Sequence, residues 1–105
     1  MRNIKIEGWD VTVEGKPVKE NLLVGLNVLI ANKKPEEIPK GIDKFRLFGR
    51  LAKAFERAEK TNILELEEGD YSFLKKTIEN DIPSIWAMNS NMLKAVEEFL
   101  NSKEE

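Results

Sequence analysis

Neither cysteine nor histidine occurs among the 105 residues. The first absence removes the thiolate nucleophile, the disulfide framework, the thiolate zinc site and the redox pair. The second removes the commonest general base and the commonest transition-metal ligand. Carboxylates, lysine, serine and tyrosine remain, yet no catalytic, cofactor-binding or metal-binding constellation stands out, so the chain is expected to be no enzyme and to need no cofactor. A long apolar run is missing too. The longest, Leu22 to Ala31, is interrupted by Gly25 and Asn27 and is too short to cross a bilayer. The opening residues, Met1 to Glu7, alternate polar and apolar instead of forming the apolar run of a signal peptide, so a cytoplasmic location and no membrane partner are expected. All six glycines stand alone, which leaves no glycine-rich phosphate loop. Glutamine is absent, and lysine and glutamate dominate the charges as in thermophile proteins, although nine asparagines run against that bias.

What is present is one domain's worth of chain with abundant charge. A chain of this length buries about two-thirds of the surface it exposes when unfolded, enough for one core without staples. Charged residues make up 34% of the sequence but nearly cancel, to a formal net charge of −2. The whole molecule is therefore no electrostatic magnet for nucleic acid or membrane, and any basic surface must be local.

Hydrophobic period divides the chain into elements. Ile4 and Ile6, then Val11 and Val13, alternate with polar residues over Asn3 to Val18, which predicts a β-hairpin or two brief strands. Gly8-Trp9-Asp10 supplies one turn and Glu14-Gly15-Lys16-Pro17 a second, with Pro17 keeping the Val18 end off any central strand. Asn21 or Glu20 caps a helix over Leu22 to Ala31 that is apolar around nearly its whole circumference, a pattern that calls for burial on several sides, by its own core or by a second subunit. Lys33 to Gly41, with Pro35 and Pro39, reads as a loop. Asp43 is placed to cap a helix from Lys44 to about Lys60 with Leu47, Phe48, Leu51, Ala54, Phe55 and Ala58 on one face. Asn62 to Leu66 alternates as a short strand. A helix from Glu68 to Asn80 turns Tyr71, Leu74 and Ile78 to one side, and Asp81-Ile82-Pro83 ends it. Ser84 caps a last helix with Ile85, Met88, Met92, Val96 and Phe99 inward, its first part open to interruption by Asn89-Ser90-Asn91. The tail Lys103-Glu104-Glu105 is expected to fray. The fold class is thus α+β: an N-terminal hairpin and one further short strand packed with about four helices, all in a single domain, residues 1–105.

Two surfaces are candidate sites. Arg46, Arg50, Lys53, Arg57 and Lys60 follow spacings of four, three, four and three, within about 80° of the helix surface, and could track phosphates or dock on an acidic protein. A solvated helix face gives the same letters, with Glu56 and Glu59 at its margin. Trp86, Met88 and Met92 join a large aromatic to adaptable thioethers after Pro83, as protein-binding patches do, but core packing at helical spacing also places them so. The acidic run Glu65, Glu67, Glu68 and Asp70 lacks the alternation and glycine of a calcium loop and suits the start of a helix, where carboxylates complement the dipole. Asp10, Asp43, Asp70 and Asp81 all fall at turn or cap positions, so no carboxylate pair is marked for acid/base work.

The order of these segments (hairpin, E-G-K-P, apolar helix, K-F-R-L-F-G-R-L-A-K-A-F-E-R-A-E-K, I-L-E-L-E-E-G-D-Y-S-F-L-K-K, I-P-S-I-W and a terminal helix) resembles small uncharacterised proteins encoded by bacteriophages and integrated phage-like elements. The resemblance spans most of the chain, rests on fold-forming letters, and implies a protein-binding part in assembly with no catalytic residues to transfer. The sequence therefore points to a non-catalytic protein-protein interaction or assembly module, a homo-oligomer through Leu22 to Ile30. The alternative is a nucleic-acid or acidic-partner binder using the basic helix face, and an enzyme working through carboxylates ranks last.

Overall fold

The computed structural model describes residues 1–34, 36 and 38–102, and of Ile85 the backbone. Pro35 of the expected loop, the inward position of Ile85 and the tail 103–105 lie outside the described residues. The architecture is α+β. In chain order the elements are β1 (Arg2–Lys5), β2 (Trp9–Val13), β3 (Lys16–Glu20), α1 (Leu22–Ala31), α2 (Ile42–Thr61), β4 (Ile63–Leu66), α3 (Glu68–Asp81), a 3-10 helix (Ser84–Met88) and α4 (Ser90–Leu100).

The strands form two separate antiparallel pairs among the described residues. β1 pairs with β4, setting Ile4 opposite Leu64 and Arg2 opposite Leu66. This differs from the sequence reading, which joined Ile4 and Ile6 to Val11 through a turn at Gly8-Trp9-Asp10. The reason is burial: Ile4, Ile6, Leu64 and Leu66 are all core residues, whereas of the β2–β3 pair only Trp9 packs against that core, and only partly buried. Trp9 and Asp10 instead open β2, which pairs with β3 from Trp9↔Glu20 to Val13↔Lys16. Glu14 and Gly15 close this hairpin with φ of 52° and 78°, the left-handed pair of a two-residue type I′ loop. Pro17 lies inside β3, in a strand whose outer edge is unpaired.

Asn21 does cap α1: its Oδ1 accepts from the N–H groups of Leu23 at 3.0 Å and Val24 at 3.3 Å. Leu22, Leu23, Gly25, Leu26 and Leu29 are buried, with α3 and α4 packed against the helix. The apolar surplus on α1 is therefore covered by the chain's own helices, and only Val24 and Val28 remain outside among its large apolar residues. α2 begins at Ile42, two residues earlier than expected, so Asp43 lies in the first turn and complements the dipole rather than capping; Gly41 occupies the cap position without a side-chain bond. Leu47, Leu51, Phe55 and Ala58 are its buried stripe, against β4. Asn62 ends the helix in the left-handed conformation, its N–H donating to the Ala58 carbonyl at 2.7 Å, and so turns the chain into β4.

The last expected helix is split. Ser84–Met88 forms a 3-10 turn, and Asn89 starts α4 afresh by accepting from the Met92 N–H at 3.0 Å. Met92, Val96 and Phe99 are inward as expected, but Met88, on the far side of the break, is 89% exposed. The Tyr71 and Phe99 rings stack at 4.8 Å, and the Tyr71 hydroxyl donates to the Phe99 carbonyl at 2.9 Å, which locks α3 to the end of α4.

Candidate functional site

The basic stripe on α2 exists as a row, but its members are drawn to acids. The Arg50 guanidinium grips Asp70 with both of its forks, Nε to Oδ2 at 3.0 Å and Nη2 to Oδ1 at 2.9 Å. Asp70 sits in the first turn of α3 with its side chain only 6% exposed. Hydrogen bonding to that carboxylate, with its charge, holds Arg50 above its ordinary pKa. Arg57 lies 3.4 Å from Glu65 on β4, Lys60 4.0 Å from Glu56, and Arg46 3.9 Å from Asp43. Lys53 alone of the five has no ion pair among the described residues. Arg50, Lys53 and Arg57 share a shallow groove with Glu65, Glu67 and Asp70, so its cations and anions alternate. A polyanion approaching it meets three carboxylates as well as these three cationic side chains.

Arg2, which the sequence pattern does not single out, anchors the N-terminal strand. Its Nε and Nη2 bond Glu68 at 2.8 and 2.9 Å, its Nη1 reaches the Ser102 carbonyl, and its guanidinium lies 4.2 Å from the Tyr71 ring centre. The bond from Arg2 is also what lowers the Glu68 carboxyl below the ordinary glutamate range. The acidic run thus has three structural partners, Arg2 on Glu68, Arg50 on Asp70 and Arg57 on Glu65. Among the described residues no three acidic side chains gather where one metal ion could be held.

The Trp86, Met88 and Met92 group separates. Met92 is core: a β-carbon built on Gly25 would meet its Sδ at 2.7 Å and the Trp86 ring at 2.9 Å, so glycine is what lets all three pack together. Trp86 is half-buried against the same core, and Met88 is free. Met88 and Trp86 nevertheless border an open cleft whose other wall is Val11 of β2, with Asn89, Ser90 and Asn91 at its end. The sequence reading missed this partner, because Val11 is 75 positions from Trp86 and nothing in the letters links them.

The hairpin supplies the rest. In its register Trp9, Val11 and Val13 share a face with Val18, Glu20 and, opposite Val13, Lys16. At the base, Glu20 accepts from the Trp9 indole at 3.1 Å and from the Asn89 side chain at 2.9 Å, tying the hairpin to the residue that also caps α4. No family model, curated protein or solved structure matches the chain. The geometry must therefore speak for itself. Toward its tip the hairpin leaves the body, and Val13 and Val18 are 51% and 45% exposed on the face that carries Val11. Val11, Trp86 and Met88 are the apolar members of the cleft, Asn89, Ser90 and Asn91 complete it, and none of these six side chains is charged. Such a surface has the chemistry to take up an apolar protein segment.

Proposed function

We propose that the protein is a non-catalytic interaction module, consistent with an assembly role, that binds a protein partner through the hairpin face and the 3-10 helix. The observation that carries this reading is Met88, an unbranched apolar side chain almost wholly in water, at the mouth of a cleft walled by Val11 and Trp86. Val13 and Val18 widen the surface, and the Trp9–Glu20–Asn89 node gives it a fixed base. The nucleic-acid reading draws less support, since four of the five cations of the basic stripe already have acidic neighbours.

Site-specific photo-crosslinking tests the proposal. A photoreactive residue is placed in turn at Val13, Met88 and, as a control on the basic stripe, Lys53, and adducts are identified after irradiation in a cell extract. The expected result is a discrete protein adduct at positions 13 and 88 that is absent at 53. Adducts equally frequent at all three positions, or nucleic-acid adducts at 53 alone, would overturn it.

A further inference from the structure

The two outer edges of the hairpin are not equivalent. In a hairpin closed by a two-residue loop, Val13 and Lys16 form a hydrogen-bonded pair, and pairs then alternate along the ladder. Val11↔Val18 and Trp9↔Glu20 are therefore hydrogen-bonded, while residues 10, 12, 17 and 19 direct their N–H and C=O groups outward. On β3 one of the two outward positions is Pro17, which has no N–H, and lysines 16 and 19 flank it. That edge carries the usual protection against added strands. The β2 edge has no proline, and its one charged residue, Asp10, is paired with Lys19 of its own hairpin at 3.3 Å. Asp10 and Thr12 are exposed, and their outward backbone groups make no hydrogen bond to any described residue.

We infer that the β2 edge pairs antiparallel with the β2 edge of a second copy, giving a four-stranded sheet in the order β3-β2-β2-β3 about a two-fold axis at Val11. This rests on the contact-module reading above and names one partner for it. Charge selects both the occupant and the register. Outward residues must face outward residues, which leaves three alignments. Setting 10 against 10 opposes two aspartates, and setting 12 against 12 brings Asp10 against Glu14; like charges directly opposite are destabilising. Setting Asp10 against Thr12 avoids both clashes. It also places Val11 against Val11, and Trp9 against Val13, on the apolar face, where aromatic and β-branched neighbours stabilise one another. The lysine-bearing β3 strands fall on the outside of the sheet. The two-fold preserves the face, so the exposed Val13 of each copy gains the Trp9 of the other. A two-stranded ribbon is marginal by itself, and the added pair supplies the strands it lacks.

Sedimentation equilibrium over a wide concentration range tests the pairing on the full chain and three variants. Thr12→Pro copies the device already present on β3: it removes an outward N–H at a position whose N–H the hairpin does not use. Thr12→Glu opposes an acid to Asp10 of the second copy, and Thr12→Lys opposes a cation to it. The expected results are a wild-type dimer that dissociates on dilution, a monomer for Thr12→Pro, a weaker dimer for Thr12→Glu and a tighter one for Thr12→Lys, each charge change altering the dissociation constant about three- to tenfold through two symmetry-related pairs. A wild-type monomer at the highest concentration, a dimer that Thr12→Pro leaves intact, or an unchanged constant in both charge variants would overturn the inference. Crosslinks to other proteins at Val13 and Met88 in a strict monomer would sink this pairing alone; their absence sinks the reading beneath it.

Discussion

At the residue scale, small changes of size decide more than changes of charge. Gly25 is the clearest case, because helix propensity and packing predict opposite signs for Gly25→Ala. Alanine gains up to about 1 kcal/mol as a helix former. Its methyl, however, enters space held by the buried Met92 sulfur and the rigid Trp86 ring, at 2.7 and 2.9 Å, and overpacking of this kind costs about 1–3 kcal/mol. Gly25→Ala is therefore expected to lower the urea midpoint, by a net ~1 kcal/mol in stability. Gly49→Ala on α2 is the control: a β-carbon there meets nothing within 4 Å, so propensity acts alone and the midpoint rises. A gain in both variants would show that the Gly25 contact relaxes freely. Gly25 interrupts an otherwise apolar run in the sequence, but only the fold reveals that the interruption is a socket for two side chains from α4 and the 3-10 helix.

Elements were legible where one face had to be buried. The stripe of Leu47, Leu51, Phe55 and Ala58 on α2, the cap at Asn21, and the helical reading of Tyr71, Leu74 and Ile78 follow from period and side-chain chemistry. Pairing was less legible. Ile4 and Ile6 announce a strand, yet nothing local says that its partner is Ile63–Leu66, 60 residues away, instead of Trp9–Val13. The candidate surface suffered from the same limit: Met88 reads as helical core until Asn89 takes the cap of α4 and leaves it outside. The basic stripe shows the converse, a visible pattern with an internal use. Arg50 latches α2 to the first turn of α3, and removing it strands the almost buried Asp70 carboxylate. Arg50→Ala is expected to lower the thermal midpoint clearly, whereas Lys53→Ala changes stability by no more than about 0.5 kcal/mol. Equal effects in thermal melts would contradict the latch.

At the scale of the whole molecule, the chain divides its work between a body and an arm. β1, β4 and the four helices enclose the core, and the β2–β3 hairpin stands at its margin, held at one end by Glu20 and Asn89. No helix among the described residues is long and apolar enough to cross a membrane. Exposed apolar side chains stand on the arm and the 3-10 helix (Val13, Val18 and Met88), on α1 (Val24 and Val28), at the start of α2 (Ile42 and Phe45) and at Ile63, and Met88 is the most exposed of them. The central claim is that contact is made by the arm. Residue-resolved amide hydrogen exchange at two protein concentrations, well above and well below the dimer constant, tests it most directly. The account predicts that Asp10 and Thr12 gain protection at the higher concentration while the exposed face of α2 does not change. Unaltered exchange at those two amides, with protection gained on α2 instead, would contradict it.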